Sequence, residues 1–192
     1  MLKILIVPLT RPYIYDYIDN WYSKVEEELN RAVGTKAVEV YVWPETVMVS
    51  MNCFDWQRGQ YIAPCVLNQL STIFSSLAKA GMYIVGIGYL DGYDVGLNFV
   101  FGEADPGNRV AVVFTRRLDQ AFYGLERDYN LYAERVIKEL IHELGHIMGL
   151  PHCNKRSCVM SFSNSVAEVD LKTHSFCEKC ANALKRVLLG NR

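Results

Sequence analysis

Eleven consecutive residues constrain this chain more than any others. His142-Glu143-Leu144-Gly145-His146-Ile147-Met148-Gly149-Leu150-Pro151-His152 hold three of its four histidines. The stretch closes a helical pattern that begins near Asn130. Ala133, Val136, Ile137, Leu140, Ile141, Leu144, Ile147 and Met148 recur at i, i+3, i+4 and i+7, which predicts an amphipathic helix with that stripe against a sheet. Glu134, Arg135, Lys138, Glu139, His142 and His146 fall on the other side and are expected to face a cleft or solvent.

Four residues of helix bring His142 and His146 to nearly the same direction, one turn apart. Two imidazoles so placed can grip one zinc ion, and Glu143 can reach a metal-bound water without ligating the metal. Gly149 can take the left-handed conformation that ends helices, and Pro151 keeps the helix from resuming. The reversal is expected to swing His152 back under the metal as the third ligand.

Six cysteines follow a different logic. Cys153-x4-Cys158 and Cys177-x2-Cys180 form two pairs, and four thiolates in two pairs make a closed tetrahedral site of the kind that holds structural zinc. No apolar run approaches the ~20 residues of a spanning helix. The apolar start, Met1 to Leu9, is too short for a signal peptide and lacks a small-residue cleavage site. The chain is therefore expected in the cytoplasm, where thiols stay reduced and metal binding is the better use of paired cysteines. Cys53 and Cys65 are expected to pack as small apolar groups.

Hydrophobic residues make up 51% of the 192, enough for a core of one domain. The net charge of −1 gives no electrostatic reason to expect nucleic acid or an anionic membrane as partner. From Cys153 onward seven basic residues stand against three acidic ones, a mild bias only. A monomer with no nucleic-acid or membrane partner is expected.

Residues 2–9 read as a buried strand, 13–32 as a helix ending near Gly34, and Lys36–Val42 as a second strand in which Val38, Val40 and Val42 alternate. A polar loop is expected up to about Pro64. Val66 to Ala80 has helical spacing closed by Gly81, and Met82 to Ile87 is a nearly all-apolar third strand. Leu97 to Glu103 and Val110 to Phe114 flank the turn Asp105-Pro106-Gly107-Asn108, which predicts a hairpin. Strands alternating with helices, followed by a hairpin, point to a mostly parallel sheet with one antiparallel strand.

The string His-Glu-x-x-His-x-x-Gly-x-x-His-Cys, followed by Cys158-Val159-Met160 and Cys177-x-x-Cys180, resembles the archaemetzincin family of metzincin zinc metallopeptidases. The block from about Glu139 to Cys180 carries the likeness, and the first half only has a compatible order of strands and helices. The resemblance implies an α+β, metzincin-like fold. Its sheet would be twisted and mixed, mostly parallel with one antiparallel edge strand, and packed on helices that include the active-site helix. A single catalytic domain, 1–192, would divide into an upper part, 1–149, and a smaller C-terminal part, 150–192. That smaller part would hold the four-cysteine site and a terminal helix.

The same resemblance implies further roles. Met160 would sit in the tight turn beneath the catalytic zinc. The edge strand Asn98, Phe99, Val100, Phe101, Gly102 and Glu103 would pair with an extended peptide substrate, which is strand addition in general terms. Two zinc ions per chain are expected: one catalytic on His142, His146 and His152, one structural on Cys153, Cys158, Cys177 and Cys180. Glu143 would take a proton from the zinc-bound water and return it to the departing amine. Whether such a peptidase trims ends or cuts internally stays open. Two other readings compete: a zinc-stabilised binding module using the basic cysteine-rich end, and a zinc hydrolase acting on a non-peptide bond. An intact Glu143 argues against the first, since a purely structural metal site needs no general base.

Overall fold

The computed structural model describes residues 1–11 and 21–190. A five-stranded sheet runs in the order β2-β1-β5-β8-β7, where β1 is Leu2–Pro8, β2 Val38–Val42, β5 Tyr83–Gly88, β7 Gly102–Asp105 and β8 Val110–Phe114. Neighbours β2, β1, β5 and β8 are parallel, and β7 pairs antiparallel with β8 at the sheet's end. This is the mixed, mostly parallel sheet with an antiparallel edge that the residue pattern predicts.

Alternation along each strand sends side chains into two cores. Ile4, Ile6, Val85, Ile87, Ala111 and Val113 pack on one face, against helices α1 (Trp21–Val33) and α4 (Tyr129–Ile147). Leu5, Val7, Ile84, Val110, Val112 and Phe114 pack on the other, against α2 (Ala63–Ile73). Burial on both faces is why these strands read as continuous apolar runs. The part of the expected first helix at 13–20 lies outside the described residues.

Three local expectations change. The stretch expected as a polar loop supplies two strands, β3 (Phe54–Asp55) and β4 (Gln60–Ile62), of a small second sheet that β6 (Gly92–Tyr93) completes. Strands of two or three residues carry no readable alternation. The helix expected from Val66 begins earlier, at Ala63, with Pro64 in its first turn, where a missing N–H costs nothing. It also breaks at Phe74, after which Ser75–Lys79 forms a separate short helix, α3.

Cys53 and Cys65 are not reduced apolar groups: they form a disulfide. A 3-10 turn at Met51–Cys53 and the first turn of α2 bring their Cα atoms to 5.4 Å, inside the range that a bridge spans. An argument from compartment alone could not see that proximity.

The polar side of α4 divides: Glu139, His142 and His146 line a cleft, as expected, while Arg135 and Lys138 are covered by other parts of the chain. These two are buried because the chain after residue 150 folds back over them. There α5 (Val166–Leu171) supplies Asp170, which takes Arg135 in a two-pronged ion pair at 2.7 and 2.6 Å, and the Val169 carbonyl, which accepts from Lys138 at 3.2 Å. The last helix, α6 (Glu178–Leu189), buries Cys180 and Leu184 in the α1–α4 core.

Candidate active site

Helix α4 starts on a cap, the Asp128 side chain accepting from the Leu131 N–H at 3.0 Å, and buries its apolar stripe against the sheet. That fixes its rotation, and with it the direction of His142 and His146. Each ring is then oriented from behind. The His142 Nδ1 lies 2.7 Å from the Val159 carbonyl and the His146 Nδ1 2.8 Å from the Leu150 carbonyl. A carbonyl oxygen can only accept, so both Nδ1 atoms carry the proton and both Nε2 atoms present lone pairs. Those Nε2 atoms converge to 3.0 Å.

Gly149, at φ +85°, turns the chain out of α4, and its N–H donates to the His146 carbonyl at 2.8 Å. The reversal carries His152 round until its ring centroid is 4.6 Å from that of His146 and 5.3 Å from that of His142. One ligand atom from each of the three rings lies within 4.8 Å of the others. Two lone pairs aimed at one point repel unless a cation takes them, and ~2.0–2.1 Å metal–nitrogen bonds suit such a cluster. The donor set therefore fits a divalent metal such as zinc. Burial holds all three imidazoles below the usual histidine range, His142 furthest, which favours the neutral form that ligates.

Glu143 is buried and lines the same cleft of about 730 Å³ as the three histidines. Burial, then the nearby Glu139 carboxylate, pushes its carboxyl well above the usual range, while Lys172 pulls the other way and Glu103 adds to the rise. Lys172, the charge that offsets this crowding, has no recognisable signal in the sequence. Its ammonium reaches Glu139 from 33 positions downstream.

The six residues expected to form the substrate strand, Asn98 to Glu103, all line this cleft. Only Gly102 and Glu103 belong to β7, however. Val100 bridges to Gly92, and Arg58 and Gln60 take the Leu97 and Asn98 carbonyls at 2.9–3.1 Å, so the first part of the segment is held by the small sheet. Phe162, Ser163 and Asn164 bound the cleft near His152, with the Phe162 ring 4.9 Å from that of His152. Nothing in the sequence singled them out.

Met160 is fully buried beneath the histidine helix. A Cβ at Gly145 would collide with its sulfur, so the small residue inside the histidine motif makes room for the methionine. Its carbonyl accepts from the Cys153 N–H at 2.8 Å, joining the turn to the residue after His152.

Cys153, Cys158, Cys177 and Cys180 come together with their sulfurs within 4.8 Å of one another. The Lys155 N–H points at the Cys153 sulfur and the Cys177 N–H at that of Cys158, at 3.5 and 3.3 Å, as suits sulfurs carrying negative charge. Burial works to raise the Cys177 thiol, but the Cys180 backbone N–H and the neighbouring thiols outweigh it and bring it down to about 7. Such a donor set fits a closed four-thiolate metal site.

The sequence model of Peptidase family M54 matches residues 2–186. The archaemetzincin of Pyrococcus abyssi is 38% identical over 192 residues, covering 96% of this chain and 95% of the relative. That of Pyrococcus furiosus is 41% identical, covering 96% and 93%. Among solved structures, the archaemetzincin of Methanopyrus kandleri is similar with a TM-score of 0.78 at 37% identity, over 97% of this chain and 95% of that one. A zinc-dependent peptidase from Methanocorpusculum labreanum gives 0.80 at 28% identity, over 94% and 99%. Sequence and fold agree along nearly the whole length, and the chain belongs to Peptidase family M54.

Proposed function

We propose that this chain is a zinc metallopeptidase in which His142, His146 and His152 hold the catalytic zinc and Glu143 moves the proton. A second, structural zinc belongs to Cys153, Cys158, Cys177 and Cys180 in this reading. The observation that carries it is the convergence of three imidazoles beside a buried carboxylate in one cleft. Membership of a peptidase family makes a peptide or protein the substrate class.

Zinc bound to three neutral imidazoles supplies Lewis acidity, polarising a carbonyl and lowering the pKa of water. Glu143 accepts a proton from the attacking water and gives it to the departing nitrogen as the C–N bond breaks. The carbonyls of Val159 and Leu150 keep His142 and His146 in the tautomer whose Nε2 lone pair faces the cleft. Met160 and the cysteine site brace the loop that delivers His152.

Substrate binding follows from the edge strand. The Phe101 carbonyl accepts from the Phe114 N–H, and pairing alternates along an antiparallel ladder. The peptide groups of Gly102 and Ala104 therefore point away from β8. An extended substrate can pair with them as a sixth strand. The cleft then separates an upper part, 1–149, from the C-terminal part, 150–192.

The test is cleavage of a peptide library by zinc-replete wild type and by Glu143→Ala, with metal content measured for both. The wild type should cut, and the variant should keep its zinc and lose about 10²–10⁴ in rate. The product ends would distinguish trimming from internal cleavage. A zinc-replete wild type that cuts no peptide, or a Glu143→Ala variant that cuts at the wild-type rate, would overturn the reading.

A further inference from the structure

Where β7 passes the active-site helix, backbone and catalytic carboxylate are in contact. A Cβ built on Gly102 would lie 2.5 Å from the Glu143 Oε1, 2.6 Å from its Cγ and 2.7 Å from its Cδ. Ordinary carbon contacts run from ~3.5 Å, so the overlap is about 1 Å. Glu143 has little room to retreat. Its side chain is buried, and α4 is pinned by the apolar stripe on one side and the Arg135–Asp170 and Lys172–Glu139 ion pairs on the other.

Gly102 is no ordinary strand residue. Its backbone is not in the left-handed region, so its φ does not call for glycine, and mid-strand glycine is otherwise unfavourable. A strand glycine commonly marks a close backbone approach, and here the approach is to the catalytic carboxylate. The same residue presents its peptide groups to the substrate edge, so one position touches both the base and the bound peptide's path.

We infer that Gly102 is a positioning residue for the hydrolysis: its missing side chain lets the edge strand serve as a backstop that sets where the Glu143 carboxylate sits. This rests on the proposed peptidase reading. A carboxylate displaced by about 1 Å from its working place costs on the order of 10²-fold in rate. Alanine at 102 keeps every backbone group that would pair with substrate, so binding should change far less than turnover.

The experiment is a cycle of wild type, Gly102→Ala, Glu143→Ala and the double variant, each zinc-replete. Gly102→Ala should lower kcat about 10²-fold with KM within about twofold and zinc content unchanged. Its melting temperature should fall by roughly 2–8 °C, the usual result of overpacking. In the Glu143→Ala background the space is open, so adding Gly102→Ala should cost almost nothing in melting temperature or residual rate. A Gly102→Ala enzyme with kcat within about threefold of wild type would overturn the inference, as would equal melting losses in both backgrounds. The melting cycle needs no substrate. If no peptide is cut, the peptidase reading fails while the contact between Gly102 and Glu143 is still judged on its own.

Discussion

The Lys172 ammonium lies 2.7 Å from the Glu139 Oε1 with both side chains almost wholly buried, and it also donates to the Ser161 carbonyl at 3.1 Å. One charge therefore ties the active-site helix, a turn before Glu143, to the residue that follows Met160. It joins the part of the molecule that carries two histidines to the part that supplies the third.

Removing one partner of such a pair is far more damaging than removing both. Lys172→Met should leave Glu139 charged and unpaired and cost about 3–5 kcal/mol of stability. Lys172→Met with Glu139→Leu should recover most of that loss, because no uncompensated charge remains. Urea unfolding of the two variants measures the difference. Equal stability in both would mean that the ion pair does not connect the two halves.

Glu103 gives a prediction about pH. Burial, and then Asp94 and Asp105, lift its carboxyl to about 7, and its Oε2 has no hydrogen-bond partner among the described residues. The folded state then binds a proton that the unfolded state, at about 4.5, has already released. Stability contributed by this group is present below pH ~4.5 and is lost as the pH rises toward ~7. Glu103→Gln mimics the protonated form. It should match wild type near pH 4.5 and melt higher, by on the order of 2 °C, near pH 8, given the group's partial exposure. A melting difference that does not grow between those pH values would count against the assignment.

How far the sequence could be read follows from how local each signal is. The α4 stripe, the histidines and the glycine that ends the helix lie within one continuous segment, so helix and histidine spacing were legible together. The edge strand was placed too early, because the groups that hold Leu97 and Asn98 out of the ladder, Arg58 and Gln60, sit about 40 positions away. The polar side of α4 was expected to face a cleft or solvent, and Arg135 and Lys138 depart from that for the same reason: their partners lie 35 and 31 positions downstream. Charge on a helix tells of a partner or of water, and spacing alone does not say which.

The Cys53–Cys65 bridge joins the turn at Met51–Cys53 to the start of α2 across 12 positions. α2 packs against β7 and β8, so the bridge steadies the face of the sheet opposite α4. Closing a loop of this size typically contributes ~2–4 kcal/mol. Cys53→Ala with Cys65→Ala should therefore lower the melting temperature by roughly 4–10 °C while leaving zinc content untouched. Reductant should lower the melting temperature of wild type and not of the double variant. No effect of reductant on wild type would mean that the bridge contributes nothing to stability.

The last prediction concerns which metal leaves first. The histidine cluster opens into the cleft, with His152 exposed, whereas Cys158 and Cys180 are buried and backbone N–H groups point at the Cys153 and Cys158 sulfurs. A site with an open position exchanges with a chelator more readily than a closed set of four thiolates. Metal-replete protein should thus carry two zinc ions, and a chelator titration should remove one early, with activity, and the other late, with unfolding of the C-terminal part. Cys158→Ser separates the two. It should bring the zinc count to one and lower the melting temperature. Turnover should also fall although no catalytic group has changed, because Cys153 is hydrogen-bonded to the Met160 turn and follows His152 directly. His146→Ala should do the reverse, losing activity and the early zinc while the late zinc and the fold remain. If Cys158→Ser kept both zinc ions and full stability, the four cysteines would not form a metal site, and the brace for His152 would have to lie elsewhere.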